Sequence, residues 1–74
     1  MKKVEQVFDR TWLELARREK GYTQAQVAEH ADITTAFYNR VEKGMNKPRV
    51  DTAILITDFL KVSVRNFLNE KPIR

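Results

Sequence analysis

Residues 23–44 read Thr23-Gln24-Ala25-Gln26-Val27-Ala28-Glu29-His30, then Ala31-Asp32-Ile33, then Thr34-Thr35-Ala36-Phe37-Tyr38-Asn39-Arg40-Val41-Glu42-Lys43-Gly44. Thr23 with Gln26 has the S/T-x-x-E/Q form of a capping box, so a helix opens there. It runs from about Gln24 to His30, with Val27 and Ala28 as its apolar pair. Ala31-Asp32-Ile33 is the turn, with Asp32 a tolerable left-handed residue. Thr34 caps the next helix, which extends to about Lys43 before Gly44 stops it. Tyr38 and Val41, three apart, form its core-facing seam. Thr35, Ala36, Asn39, Arg40 and Lys43 are left facing outward, and Phe37 lies between the two faces.

Outward from this stretch the chain remains helical. Upstream, Val4 to Lys20 reads as a first helix ended by Gly21, with Arg17, Arg18 and Lys20 suited to the negative end of its dipole. Val4, Val7, Phe8, Trp12, Leu13, Leu15 and Ala16 spread over an arc far wider than the ~100° of one core face, so this helix is expected to touch two surfaces. Downstream, Met45 to Arg49 is a loop stiffened by Pro48. A fourth helix follows from about Val50 to Leu60, its inward seam Val50, Ala53, Ile56 and Leu60. Ser63 caps a short last helix with Val64, Phe67 and Leu68, and Pro72 ends regular structure. The fold class expected is all-α, five short helices.

The 74 residues have room for one domain, spanning 1–74, with a thin core. Hydrophobic residues at 42% and charged residues at 32% suit a folded globule. Fourteen Lys+Arg against ten Asp+Glu give a net charge of +4, which favours an anionic partner, most often nucleic acid. Four basic side chains (Arg40, Lys43, Lys47, Arg49) and one acid (Glu42) lie between Thr34 and Val50, a local +3 that is most of the surplus. With no cysteine and one histidine, neither thiol chemistry nor a Cys/His metal site is expected. No nucleophile–base set or phosphate loop is present, so neither an enzyme nor a cofactor is expected. No apolar run approaches the ~18 residues of a membrane span. The polar residues Glu5, Gln6, Asp9 and Arg10 interrupt any export signal after Lys2-Lys3, so the expected location is the cytoplasm, at the nucleoid.

A short helix, a tight turn and a second short helix with a polar outer face form a helix-turn-helix pattern. Its second helix, roughly 10–12 Å wide, fits a major groove about 12 Å wide. Leu13, Ala16, Arg17, Lys20-Gly21-Tyr22-Thr23-Gln24, Val27-Ala28, Ile33-Thr34, Tyr38, Val41-Glu42-Lys43-Gly44, Lys47-Pro48 and Leu60 to Ser63 carry a resemblance to the lambda-repressor-like helix-turn-helix family, the phage repressor and Cro type. The resemblance covers about residues 9 to 69. It implies a five-helix fold and sequence-specific binding of double-stranded DNA, usually as a dimer on a near-palindrome.

The family's roles carry over by position. Thr35, Ala36, Asn39 and Arg40 match positions that face base edges; Arg40 can pair with guanine and Asn39 with adenine. Gln24 matches a glutamine that grips a phosphate. Thr23, Phe37, Lys43, Asn46, Lys47 and Arg49 are the other expected phosphate-contacting residues, with core packing as the alternative for Phe37. Arg17 and Glu42 match a mostly buried ion pair tying the first helix to the third. Asp32 and Lys61 stand where the family usually has glycine. Leftover apolar residues point to a homodimer built on Leu55, Phe59, Val64 and Leu68, with Val4, Val7 and Leu15 as the competing surface. The function expected is transcriptional regulation, as a repressor acting by occupancy and without a small-molecule ligand. The alternative is a protein-interaction module such as an antitoxin or anti-repressor subunit.

Overall fold

Among the described residues five helices follow one another in the computed structural model: α1 (Thr11–Glu19), α2 (Gln24–His30), α3 (Thr35–Glu42), α4 (Val50–Leu60) and α5 (Arg65–Leu68). The structure describes residues 7–73. The first four helices close by one device. The residue that ends each takes the left-handed conformation, with φ of +75° at Gly21, +59° at Asp32, +80° at Gly44 and +61° at Lys61. That residue and the next then donate back over the last turn, as Gly21 N–H does to Arg18 O at 3.0 Å and Tyr22 N–H to Arg17 O at 3.2 Å. The same pairing recurs at Asp32-Ile33, Gly44-Met45 and Lys61-Val62. It satisfies carbonyls that a helix end leaves open. Asp32 and Lys61 adopt this geometry at a cost of roughly 1–2 kcal/mol each that glycine would avoid.

N-cap side chains open α2 and α3 but not α1, α4 or α5, and the N-cap of α5 is Val64, not Ser63. Thr23 Oγ1 accepts from Gln26 N–H at 3.1 Å while Gln26 Oε1 accepts from Thr23 N–H at 2.8 Å, closing the capping box of α2. Thr34 Oγ1 accepts from Phe37 N–H at 3.0 Å and opens α3. Ser63 Oγ accepts from Arg65 N–H at 3.1 Å ahead of α5.

Leu13 and Ala16 of α1, Val27 and Ala28 of α2, Tyr38 and Val41 of α3, Ala53, Ile56 and Leu60 of α4, and Phe67 of α5 make one core. Trp12 meets Phe67 edge to face with ring centres 4.9 Å apart. This core fixes the back of α3 against α2 and α1, and leaves the front of α3 in solvent.

Two expectations are corrected. The first helix begins at Thr11, not Val4, and Val4 itself lies outside the described residues. The Asp9 carboxylate takes both the N–H of Thr11 at 3.0 Å and its hydroxyl at 2.7 Å, a local alternative to helix. Val7 and Phe8 instead run extended: Phe8 N–H donates to Gly44 O at 3.0 Å, and Ile73 N–H to Val7 O at 2.7 Å. A single antiparallel bridge joins Phe8 to Pro72, beyond the last helix. On α4 the inward seam is Ala53, Ile56, Thr57 and Leu60, and Val50 stands 63% exposed. Thr57 can be buried because its hydroxyl donates to Ala53 O at 2.9 Å.

The two glycines separate conformation from space. A Cβ on Gly21 would meet nothing within 4 Å, whereas one on Gly44 would overlap the carbonyl oxygen of Phe8. Gly21→Ala is expected to cost only the left-handed penalty of about 1–2 kcal/mol. Gly44→Ala is expected to cost clearly more, because the Phe8 backbone must also move. Urea unfolding of the two variants side by side measures the difference.

Candidate nucleic-acid interface

Glu42, in the last turn of α3, is buried beneath the polar front of the helix. Its carboxylate accepts four hydrogen bonds. Arg17 Nε donates at 2.6 Å and Nη2 at 3.0 Å, Gln24 Nε2 at 2.9 Å, and the Tyr38 hydroxyl at 2.9 Å. A carboxylate offers about four such positions, so it is fully used. Arg17 Nη1 donates onward to Tyr22 O at 2.9 Å, joining the α1–α2 loop to the same network. Arg17 and Glu42 thus tie α1 to α3, and Gln24 adds the start of α2.

The network sets protonation. Burial pushes the Glu42 carboxyl up, but the hydrogen bonds from Arg17, Gln24 and Tyr38 and the charge of Arg17 outweigh it and hold it below the ordinary glutamate range. The hydrogen bond to Glu42 raises Arg17 further, against the effect of burial. Burial, then the Glu42 charge, pushes the Tyr38 hydroxyl far above its ordinary range. Tyr38 therefore stays a neutral donor and Glu42 a charged acceptor.

Above this anchor lies the outward face of α3. Thr35, Ala36 and Arg40 are exposed and Asn39 is half-buried. Asn39 Nδ2 donates to Gln24 Oε1 at 3.2 Å, so Gln24 links Glu42 below to Asn39 above. Lys43 and Lys47 are exposed beside this face, and Lys47 Nζ sits 5.3 Å from the centre of the Phe8 ring. Among the described residues no carboxylate pairs with Arg40, Lys43 or Lys47, whereas the exposed Arg49 lies 3.7 Å from Asp51. Thr23 is exposed at the α2 start with its side chain in the capping box. Asn46 is half-buried in the loop after α3. Phe37 is half-buried and packs against the core, so only part of its ring faces out.

The residues expected at a dimer surface are not alike. Leu55 and Leu68 are 41% and 59% exposed, but Phe59 and Val64 pack against the core. Phe59 stacks on Tyr22 at 4.4 Å and on His30 at 4.2 Å between ring centres, so much of its ring is used within the chain. Of the competing surface, Leu15 is 55% exposed and Val7 half-buried.

Sequence reasoning missed one residue altogether. Arg10 is buried, and its guanidinium reaches Glu70 in the tail, Val41 O and Asn46 O. Its signal was faint: a cation next to Val7-Phe8, and a lone acid in the basic stretch 70–74. Among the described residues no group of three or more His, Cys, Asp or Glu could hold a metal, and no helix is long and apolar enough to cross a membrane.

The sequence model of the Helix-turn-helix family matches residues 13–67. The chain belongs to this lambda-repressor-like helix-turn-helix family. Within it, the chain is 49% identical over 41 residues to the HTH-type transcriptional regulator YqaF of Bacillus subtilis, covering 55% of this chain and 54% of that protein. It is 32% identical over 56 residues to the HTH-type transcriptional regulator SinR of Bacillus licheniformis, covering 74% of this chain and 50% of that one. The chain thus spans about half the length of the curated relatives it matches. Among solved structures, the N-terminal DNA-binding domain of SinR from Bacillus subtilis superposes with a TM-score of 0.70 at 27% identity, over 84% of this chain and 91% of that one. These relatives are named as regulators, not enzymes.

Glu42 makes the helix-turn-helix acid-sensitive. Its folded carboxyl binds a proton less readily than its unfolded one, so its contribution is complete above the ordinary value of 4.5 and is lost as pH falls through the depressed folded value. Chemical unfolding between neutral and acid pH should show this loss. Glu42→Gln should flatten that part of the profile and lower stability at pH 7 by roughly 3–5 kcal/mol, because the Arg17 charge is left buried without its counter-ion.

Proposed function

We propose that this helix-turn-helix protein binds a near-palindromic operator in double-stranded DNA as a homodimer, with α3 in the major groove, and regulates transcription as a repressor by occupancy at the nucleoid. One observation carries the reading. The front of α3 is an unobstructed polar face of Thr35, Ala36, Asn39 and Arg40, flanked by Lys43 and Lys47 with no carboxylate paired to them among the described residues. Arg40 has the fork to pair with guanine O6 and N7, Asn39 the amide to pair with adenine, and Ala36 a methyl for thymine. Thr23, Gln24, Lys43, Asn46, Lys47, Arg49 and the free part of Phe37 border this face and suit the phosphates on either side. Membership of the family and relatives named as transcriptional regulators support the assignment.

A dimer would repeat α3 about 34 Å away, one turn of DNA. Leu55 and Leu68, exposed on α4 and α5, are the proposed centre of the contact, with Phe59 and Val64 at its edge. The competing reading, a module whose main task is to bind another protein, draws on the same exposed apolar residues. Sedimentation at high micromolar concentration separates them: a dimer that Leu55→Glu dissociates supports the patch, and a monomer with and without DNA removes it.

Selection of duplexes from a randomised pool tests base reading. The wild-type chain should enrich a two-fold-related sequence. Arg40→Ala should lose about 1–3 kcal/mol of discrimination at one position in each half-site while keeping sequence-independent binding. Thr35→Ala should relax a neighbouring position. Unchanged preference in both variants would place the reading face elsewhere.

A further inference from the structure

Arg10 does something that stability alone does not require. Its side chain is fully covered and that of Glu70 nearly so. Arg10 Nε donates to Glu70 Oε2, and Nη2 donates to Glu70 Oε1 at 2.8 Å. Nη1 donates to two backbone carbonyls, Val41 O at 2.5 Å and Asn46 O at 3.0 Å. The guanidinium carbon also lies 5.3 Å from the Phe8 ring centre and 5.0 Å from that of Phe67. A well-packed apolar pair of similar volume commonly supports a core as well as a buried ion pair does. No apolar residue can bond Val41 O and Asn46 O at once.

Those carbonyls bracket the segment that matters. Val41 lies in the last turn of α3, where a cation also suits the helix dipole. Asn46 lies in the loop, and between and beside them are Lys43 and Lys47. The neighbouring segment reinforces the hold: Phe8 N–H donates to Gly44 O at 3.0 Å, the Phe8 ring lies under Lys47 Nζ, and Ile73 N–H ties the tail to Val7 O at 2.7 Å. Segments 7–10 and 70–73 thus form a clasp behind the loop that follows α3. A loop ordered before binding loses little conformational freedom when it meets its ligand.

We infer that Arg10, held by Glu70, is a positioning residue for DNA binding: it fixes residues 41–47 so that Lys43, Asn46 and Lys47 meet successive phosphates. The inference rests on the DNA-binding reading above. It separates two quantities that a merely structural role would move together. Arg10→Met with Glu70→Leu removes both charges and both carbonyl bonds while filling the space. Arg10→Lys keeps the charge beside Glu70 but lacks the fork. Glu70→Gln keeps Arg10 on Val41 O and Asn46 O while weakening the ion pair.

The test is binding of a mixed-sequence duplex across a salt series, with thermal unfolding and amide hydrogen exchange on the same samples. Arg10→Met/Glu70→Leu should melt near the wild type, exchange faster at Met45 to Lys47, and bind about tenfold more weakly at low salt. Its slope of log affinity on log salt should be shallower by about 0.9 for each phosphate the variant no longer neutralises. Arg10→Lys should bind like the double variant, and it carries the test alone if the double variant does not fold. Glu70→Gln should melt lower yet bind within about twofold of the wild type, with an unchanged slope. A folded double variant or Arg10→Lys that keeps wild-type affinity and slope overturns the positioning role. Binding losses that merely follow melting temperature, Glu70→Gln included, overturn it too. A wild-type chain that binds no duplex overturns the DNA-binding reading itself, and this inference with it.

Discussion

The Glu42 carboxylate is the constraint on which the rest of the helix-turn-helix depends. It is buried at the end of α3 and accepts from Arg17 on α1, Gln24 at the start of α2 and Tyr38 one turn earlier on α3. A charge inside a protein this small is tolerable only when every lone pair has a donor. Meeting that requirement fixes the rotation and depth of α3 against two other helices. The apolar contacts of Tyr38 and Val41 fill space beneath it, but they lack the direction that four hydrogen bonds impose.

The consequence reaches the surface through one side chain. Gln24 Nε2 serves Glu42 while its Oε1 receives Asn39 Nδ2, so the buried charge and the outward face of α3 are linked through a single amide. At the same C-terminal end of the helix, Arg10 takes up the carbonyls of Val41 and, in the loop beyond it, Asn46. Two buried arginines therefore hold the last turn of α3, one through the Glu42 carboxylate and one through the carbonyls of Val41 and Asn46. The exposed side chains of α3 stand on a helix whose last turn is held by both.

Much of this was legible in the sequence where signals are local. The capping box set the start of α2, Gln24–His30, and the apolar run after the Pro48 loop set the bounds of α4, Val50–Leu60. Asp32 and Lys61 take left-handed geometry because helices that must turn sharply require it of whatever residue stands there. The failures came where a distant partner decides, or where a local side-chain hydrogen bond overrides hydrophobic spacing. A start at Val4 overlooked the pull of Asp9 on Thr11, and nothing near Phe8 announces an isolated bridge to Pro72. Arg10 reads as surface because its acid lies sixty residues away. Val50 and Thr57 exchanged places because a hydroxyl bonded to its own helix can be buried as readily as a methyl. Phe59 looked free because its stacking partners, Tyr22 and His30, belong to a different helix and loop.

The central question is which face meets DNA. Titration of an isotope-labelled chain with a short duplex, followed by amide and side-chain resonances, locates that face without knowledge of the operator. Shifts should concentrate at Thr23 and Gln24, along Thr35 to Lys43, and through Asn46 to Arg49, with Arg40 and Asn39 side-chain signals among the largest. Shifts centred on Leu55, Leu68 and the exposed sides of α4 and α5, with α3 unchanged, would contradict it.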